Sequence, residues 1–406
     1  MRRLSLLATA LLASSVVLAP VPAYADSTVC TTSSPGDDAR STDVSPRDDE
    51  ENAALRSLRL DDVHELATGA GVGVAVIDSG VQSGTDLVAR EGASFAGKGA
   101  VKDGHGTIVA GLIAGRGDAT GLAPDADIVS VRVSSSEPEP DDPRSGSVSP
   151  DAVASAIEWV VAHPGNVRVI NLSLGFTSPH PAITSALDKA VEAGFVVVAA
   201  AGNRPSVDGE TQTDEGAPGS VLDEVLFPAS LDEVIAVTAR DASLAMTAES
   251  VLTGPEIDVS APVVGLRSVM LDGIVCDISE TASSWAAAEV SGLAALILQR
   301  DPDLTPAQVK TRIEVTAQGG YRDSALDGHG MIQPHEALTA VLDVAADGSL
   351  RGAGDRERLA YQAPRPRAQH DDFAEGRDRV LWWGIGAGGL LGLALLLRPL
   401  TARRRS

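Results

Sequence analysis

Four side chains in this sequence make up the set that acyl transfer needs: a carboxylate, an imidazole, a hydroxyl and a neutral hydrogen-bond donor. Asp78 closes the apolar run Val72-Gly73-Val74-Ala75-Val76-Ile77. Its carboxylate is expected at the C-terminal tip of a buried strand, where open parallel sheets build their sites. His105 stands in Asp103-Gly104-His105-Gly106-Thr107, directly before the helical pattern Ile108 to Gly115. A helix N-terminus holds an imidazole rigidly and favours its neutral form, which a general base requires. Ser284, in Ala282-Ser283-Ser284-Trp285, enters a helix of small residues. There a hydroxyl can act as nucleophile while its own peptide N–H helps hold an oxyanion. Asn203 follows the run Val196 to Gly202 and offers a side-chain amide as the second oxyanion donor.

Each of these residues also has an ordinary explanation, because Asp starts turns, Ser caps helices and Asn follows Gly in turns. The constellation, in the chain order Asp, His, Asn, Ser, is what makes the signal specific. Two rivals stand beside it. A second Asp-Gly-His-Gly, Asp327 to Gly330, runs into Met331-Ile332-Gln333-Pro334, which cannot readily begin the same kind of helix. Ser283 is a neighbouring hydroxyl, but the eight-residue spacing to Gly292 favours Ser284.

Positioning these groups calls for an α/β domain with a doubly wound, mostly parallel sheet and helices on both faces. Short Val/Ile/Ala-rich runs alternate with Ala/Leu helical patterns from Leu55 to Val344. The predicted strands are 73–78, 127–133, 167–172, 195–200 and 234–238. Helices are predicted at 108–115, 150–162, 181–193, 284–299 and 305–316, the last capped by Thr305 with Pro306 in its first turn. Residues 134–149 and 204–226 read as long surface loops.

Outside this domain the composition changes. Residues 1–25 carry Arg2 and Arg3, an apolar stretch from Leu4 to Leu18 and Ala23-Tyr24-Ala25, the pattern of an export signal cleaved after Ala25. Residues 26–54 are poor in apolar side chains and read as an extended arm. Residues 345–379 read as a flexible tether. The uncharged segment 380–397 is just long enough to cross a lipid bilayer, with Trp382-Trp383 at one boundary and Arg398, Arg403, Arg404 and Arg405 at the other. The basic tail 398–406 is then cytoplasmic and the domain extracytoplasmic. Within that segment Gly384, Gly388 and Gly392 recur every fourth residue, a spacing that allows close helix approach, although simple Gly enrichment explains it equally well.

The formal net charge of −24 excludes a broad basic surface for nucleic acid. Only Cys30 and Cys276 occur, both expected outside the membrane, and one bridge between them is favoured over free thiols. That bridge would pin the arm upstream of Ser284. No cofactor is expected, and no metal: the triad needs none, and no oxygen-ligand spacing of the EF-hand kind is present.

Several local motifs, taken with this chain order, resemble the subtilisin-like serine protease family. Ala75 to Val81 is similar to the family's Asp motif, Asp103 to Gly115 to its His motif, and Ile170-Asn171-Leu172-Ser173-Leu174-Gly175 to the segment lining its substrate cleft. Phe227-Pro228-Ala229-Ser230 and Ile257 to Pro262 match further landmarks. No Gly-x-Ser-x-Gly elbow is present, which argues against an α/β-hydrolase.

The resemblance implies a serine endopeptidase with Asp78, His105 and Ser284 as triad and Asn203 at the oxyanion. Ser173, Leu174 and Gly175 would border the substrate backbone of an exported protein or peptide. The export signal, Cys-bearing arm, inserted loops, tether and terminal apolar segment resemble the mycosins, which implies a membrane secretion complex of type VII as partner.

The chain departs from the family at its serine motif, Gly-Thr-Ser-x-Ala-x-Pro-x-Val-Ser-Gly. Ala282 stands at the Gly, Ser283 at the Thr and Ala288 at the Pro, and Val263 replaces a Gly after Ala261-Pro262. A Cβ at 282 is expected to disturb the oxyanion site. Two function classes follow: an active endopeptidase, and a catalytically weak scaffold of the same fold.

Overall fold

The computed structural model describes residues 28–32, 52–119, 121–134, 148–204, 224–241, 243–245, 250–320 and 324–351. In chain order these form α1 (Ala53–Leu58), α2 (Leu60–His64), β1 (Gly73–Asp78), β2 (Ala89–Ser94), α3 (His105–Ala114), β3 (Asp127–Arg132), α4 (Pro150–Ala162), β4 (Val167–Leu172) and α5 (Pro181–Glu192). The chain continues through β5 (Val196–Ala200), β6 (Ile235–Arg240), β7 (Val259–Pro262), β8 (Arg267–Val269), β9 (Val275–Asp277), α6 (Ser283–Arg300), α7 (Pro306–Thr316) and α8 (Pro334–Thr339).

Seven strands make one sheet in the order β2-β3-β1-β4-β5-β6-β7, and every neighbouring pair is parallel. The central strand β1 is buried along its whole length, with Val74 and Val76 in one core and Ala75 and Ile77 in the other. Side chains alternate across a strand, so a continuous apolar run is what a sheet covered on both faces demands. Helices α4 and α5 lie over the second core, and α3 and α6 over the first. The expected α/β architecture is therefore present.

Some elements differ from the expectation for identifiable reasons. Strand β2 was not legible because it is an edge strand whose Arg90 and Glu91 interrupt any apolar run. Strand β7 is only four residues long, too short for a periodic signal. Helix α3 begins at His105 rather than Ile108, and α6 at Ser283 rather than Ser284. Thr305 does cap α7, in a reciprocal pair with Gln308 and with Pro306 in the first turn. The described segment that leads into α1 opens with Asn52, whose side chain accepts from Ala54 N and Leu55 N and donates to the Gly265 carbonyl. At the other end Gln308 donates to Val344 O, Thr305 to Ala346 O and Thr311 to Gly348 O, so the first residues of the expected tether, 345–351, pack on α7, while 352–379 lie outside the described residues.

Most of the arm lies outside the described residues, but its segment 28–32 is tied to the domain. Val29 bridges Asp277, Cys30 N donates to Asp277 O, and Cys30 is disulfide-bonded to Cys276. Segments 1–25, 380–397 and 398–406 and the inserted loops 135–147 and 205–223 lie outside the described residues. Among the described residues, no helix is long and apolar enough to cross a membrane.

Helix α6 is buried on every side from Ser283 to Leu298. A helix with no polar face belongs inside a core. At Gly292 a Cβ would lie 3.0 Å from the Leu122 Cβ, so the glycine allows the chain after α3 to close on α6. Glu289 is the anomaly of this helix: it is fully buried and neither carboxylate oxygen has a hydrogen-bond partner among the described residues. Burial raises its pKa well above the ordinary value of 4.5, so the side chain is held neutral.

The sign follows from linkage. The folded state keeps a proton that the unfolded chain releases above about pH 4.5, so stability falls as pH rises. Urea unfolding of the wild type and of Glu289→Gln between about pH 5 and 7 should diverge in favour of the variant by about 1.4 kcal/mol per pH unit. Parallel curves would contradict a buried neutral acid.

Candidate active site

Strand β1 ends at Asp78, and Ser79 N donates to Asp78 Oδ1 at 2.7 Å. His105 comes from the first turn of α3, where Asp103 Oδ1 accepts from His105 N at 2.8 Å and Ser79 Oγ accepts from Gly106 N at 3.0 Å. Two backbone donors that a helix start leaves open are thereby satisfied by side chains. Gly106 is required for closeness: a Cβ there would lie 2.5 Å from Gly80 O and 3.0 Å from Asp78 Oδ1.

Bringing these elements together sets His105 Nδ1 at 2.9 and 3.0 Å from the two carboxylate oxygens of Asp78. The carboxylate is an acceptor, so Nδ1 carries a proton, and in the neutral ring Nε2 is the basic nitrogen. Nε2 makes no hydrogen bond to any described residue.

Helix-start neutrality, expected for this imidazole, is overturned. Burial does disfavour the cation, but the charge of Asp78, its hydrogen bond, and the charges of Asp103 and Glu280 outweigh burial and raise the His105 pKa to about 9.

The two neighbouring serines occupy different environments. Ser283 is wholly buried and its groups are engaged three times: Ser283 N donates to Asn203 Oδ1 at 2.8 Å, its hydroxyl donates to the same oxygen at 3.0 Å, and the hydroxyl accepts from Gly202 N at 3.0 Å. A peptide N–H can only donate, so the Asn203 atom facing it must be the carbonyl oxygen. The Asn203 amide nitrogen therefore points away from Ser283, and it donates to no described residue. The Ser284 N–H, one of the first-turn donors of α6, is likewise unbonded among the described residues, as is the Ser284 hydroxyl. Unengaged N–H donors beside a helix N-terminus are groups of the kind that can stabilise developing negative charge.

Ala282 precedes this helix with φ −134° and ψ 139°, extended backbone that any L-residue adopts. Its backbone conformation alone therefore does not call for glycine.

Of the residues expected to border a substrate, Ser173 is buried and its hydroxyl reaches Asn171 Oδ1 at 3.1 Å and the Ser284 carbonyl at 2.9 Å. Asn171 in turn donates to Ser291 Oγ at 3.0 Å, and Ser291 to Ala287 O at 2.8 Å. Leu174 is half-buried, and a Cβ at Gly175 would lie 2.8 Å from the Leu226 Cβ. Phe176 pairs with Phe227 through two backbone hydrogen bonds, and the Phe227–Pro228 peptide is cis. The rival His329 is elsewhere in the network, with its ring on the Gly320 carbonyl and its N–H on Asp258 O.

Ser79, Asn171 and Ser291 fall inside motifs read from the sequence, but the hydrogen bonds their side chains make there were not foreseen. Sequence reasoning also passed over Trp285, whose ring lies against His105. From the arm, Thr32 O accepts from Gly104 N at 2.6 Å, one residue before His105. Among the described residues, no cluster of His, Cys, Asp and Glu is arranged to hold a metal ion.

Comparison with known proteins agrees with this geometry. Residues 69–331 match the model of the Subtilase family. Mycosin-1 of Mycobacterium tuberculosis is 36% identical over 322 residues, which are 70% of this chain and 72% of that protein. The crystal structure of MycP1 from Mycobacterium smegmatis superposes with a TM-score of 0.61 at 30% identity, covering 80% of this chain and 92% of the other. A chain in the periplasmic assembly of the ESX-5 inner membrane complex gives 0.60 at 26% identity, covering 79% and 89%. The chain belongs to the subtilase family and is a subtilisin-like serine protease related to the mycosins of type VII secretion.

Proposed function

We propose that this chain is an endopeptidase in which Ser284 is the nucleophile, His105 the general base, Asp78 its orienting partner and Asn203 an oxyanion donor. The observation that carries the reading is the division of labour between the serines. Ser283 is committed to Asn203, while Ser284 has an unengaged hydroxyl and N–H at the start of α6. Ser284 Oγ attacks the peptide carbonyl, and His105 Nε2 takes its proton. The tetrahedral oxyanion receives hydrogen bonds from the Ser284 N–H and the Asn203 amide. His105 then returns the proton to the leaving amine, and water releases the acyl group by the same steps in reverse. Asp78 fixes the tautomer and stabilises the imidazolium. Leu174 and Gly175 border the substrate backbone, and Ser173 supports them by holding the Ser284 carbonyl.

The export signal at 1–25 and the apolar segment 380–397 support a membrane-anchored, extracytoplasmic location, with tail 398–406 in the cytoplasm. Similarity to a chain of the ESX-5 periplasmic assembly supports a secretion complex as partner. The substrate is then an exported protein or peptide.

A fluorophosphonate probe tests the chemistry. Full-length wild type should label, Ser284→Ala should not, Ser283→Ala should label at a reduced rate, and Asn203→Ala should lose about 10² to 10³ in rate. Absence of wild-type labelling would sink the active-protease reading, and loss only in Ser283→Ala would move the nucleophile. The labelling rate should also follow the neutral fraction of His105. With its pKa raised to about 9, the rate should climb about tenfold per pH unit below about pH 8 and level above about pH 9. A plateau reached near pH 7 would contradict the three-carboxylate account. Finally, truncation after Arg379 should move the protein from the membrane fraction to the soluble fraction of expressing cells. Unchanged membrane retention would remove 380–397 as the anchor.

A further inference from the structure

Trp285 directly follows Ser284 and is 2% exposed, although it stands at the edge of the site. Its ring lies against the His105 imidazole with centroids 4.9 Å apart and planes inclined by 33°. Its one polar atom, Nε1, donates to Glu280 Oε1 at 3.3 Å. A buried indole with its N–H engaged is a rigid surface, because both of its side-chain torsions are fixed.

His105 needs such a surface. Asp78 holds the imidazole only along its Nδ1 edge, and about a quarter of the side chain is exposed, at 24%. An edge contact alone leaves the ring free to tilt about that hydrogen bond, which would swing Nε2 away from Ser284. Trp285 covers a ring face and is anchored in the same helical turn as the nucleophile. The contact therefore couples the N-terminus of α6 to that of α3.

We propose that Trp285 is a positioning residue for His105, holding the imidazole between its indole and the Asp78 carboxylate, and that Glu280 fixes the indole in that place. This rests on the catalytic reading of His105 given above. It assigns Glu280 two effects. Through Nε1 it locks the ring, and through its charge it favours the imidazolium that forms when Ser284 is deprotonated. A cation against an indole is itself favourable. The charged groups that act on this imidazole come from three elements: Asp78 from β1, Asp103 from the chain before α3, and Glu280 from the chain between β9 and α6.

Three variants of the full-length chain test the proposal: Trp285→Ala, Trp285→Phe and Glu280→Gln. Each is read by fluorophosphonate labelling rate against pH, and by the rate of His105 carbethoxylation with diethyl pyrocarbonate, followed by peptide mass spectrometry. Trp285→Ala should label about 10- to 100-fold more slowly while its His105 is carbethoxylated faster, because the ring is both uncovered and misplaced. Trp285→Phe should recover most of the labelling rate, since it retains a ring in the same place. Glu280 is exposed, so Glu280→Gln is expected to fold, and its midpoint in both reactions should move to lower pH. That shift should shrink at about 1 M salt, which screens an exposed carboxylate.

Variants that label and carbethoxylate like the wild type would overturn the positioning role while leaving the triad intact. A wild type that never labels would instead defeat the catalytic reading. The carbethoxylation rates would still report whether Trp285 and Glu280 govern the His105 ring.

Discussion

The site depends on where a wholly buried helix begins. Helix α6 lies within the core over the central strands, and its N-terminus meets the C-terminal ends of β4 and β5. A polar chain makes that meeting specific: Ser291 and Asn171 inside the core, then Ser173, then the Ser284 carbonyl. Apolar packing is non-directional and would tolerate a helix displaced along its axis. Buried hydrogen bonds do not, because each partner left unmatched costs about 1–3 kcal/mol. The core supplies the stability, and these few polar contacts supply the register.

The substituted positions of the serine motif each have a definite local setting. Ser283 keeps the one group that matters at its position, a hydroxyl aimed at the Asn203 carbonyl oxygen. Ala282 occupies extended backbone and needs no glycine. Ala288 lies inside α6, where an alanine suits the helix better than a proline does.

Much of this was legible in the sequence because it rests on local rules. A buried parallel strand writes itself as an unbroken apolar run, so β1 and the position of Asp78 could be read directly. Capping chemistry announced Thr305 and Pro306. What sequence reading missed came from tertiary proximity. The charge state of His105 depends on Asp103 and on Glu280, which lies 175 positions further along the chain. Edge strand β2 carries no apolar signature. Asn171 and Ser291 belong to motifs legible in the sequence, but that their side chains bond to each other shows only when helix and strand are seen face to face. The ordered end of the domain at 345–351 has the composition of a linker, and only the hydrogen bonds from α7 give it a fixed place.

The central claim is that Ser283 aims Asn203 so that its amide and the Ser284 N–H converge on one point. The most direct measurement is a crystal structure of the covalent phosphonate adduct. The account predicts phosphorus on Ser284 Oγ, with the phosphoryl oxygen within hydrogen-bond distance of both Ser284 N and Asn203 Nδ2, and with Asn203 Oδ1 still accepting from Ser283. An adduct on Ser283, or a phosphoryl oxygen turned away from Asn203, would contradict it.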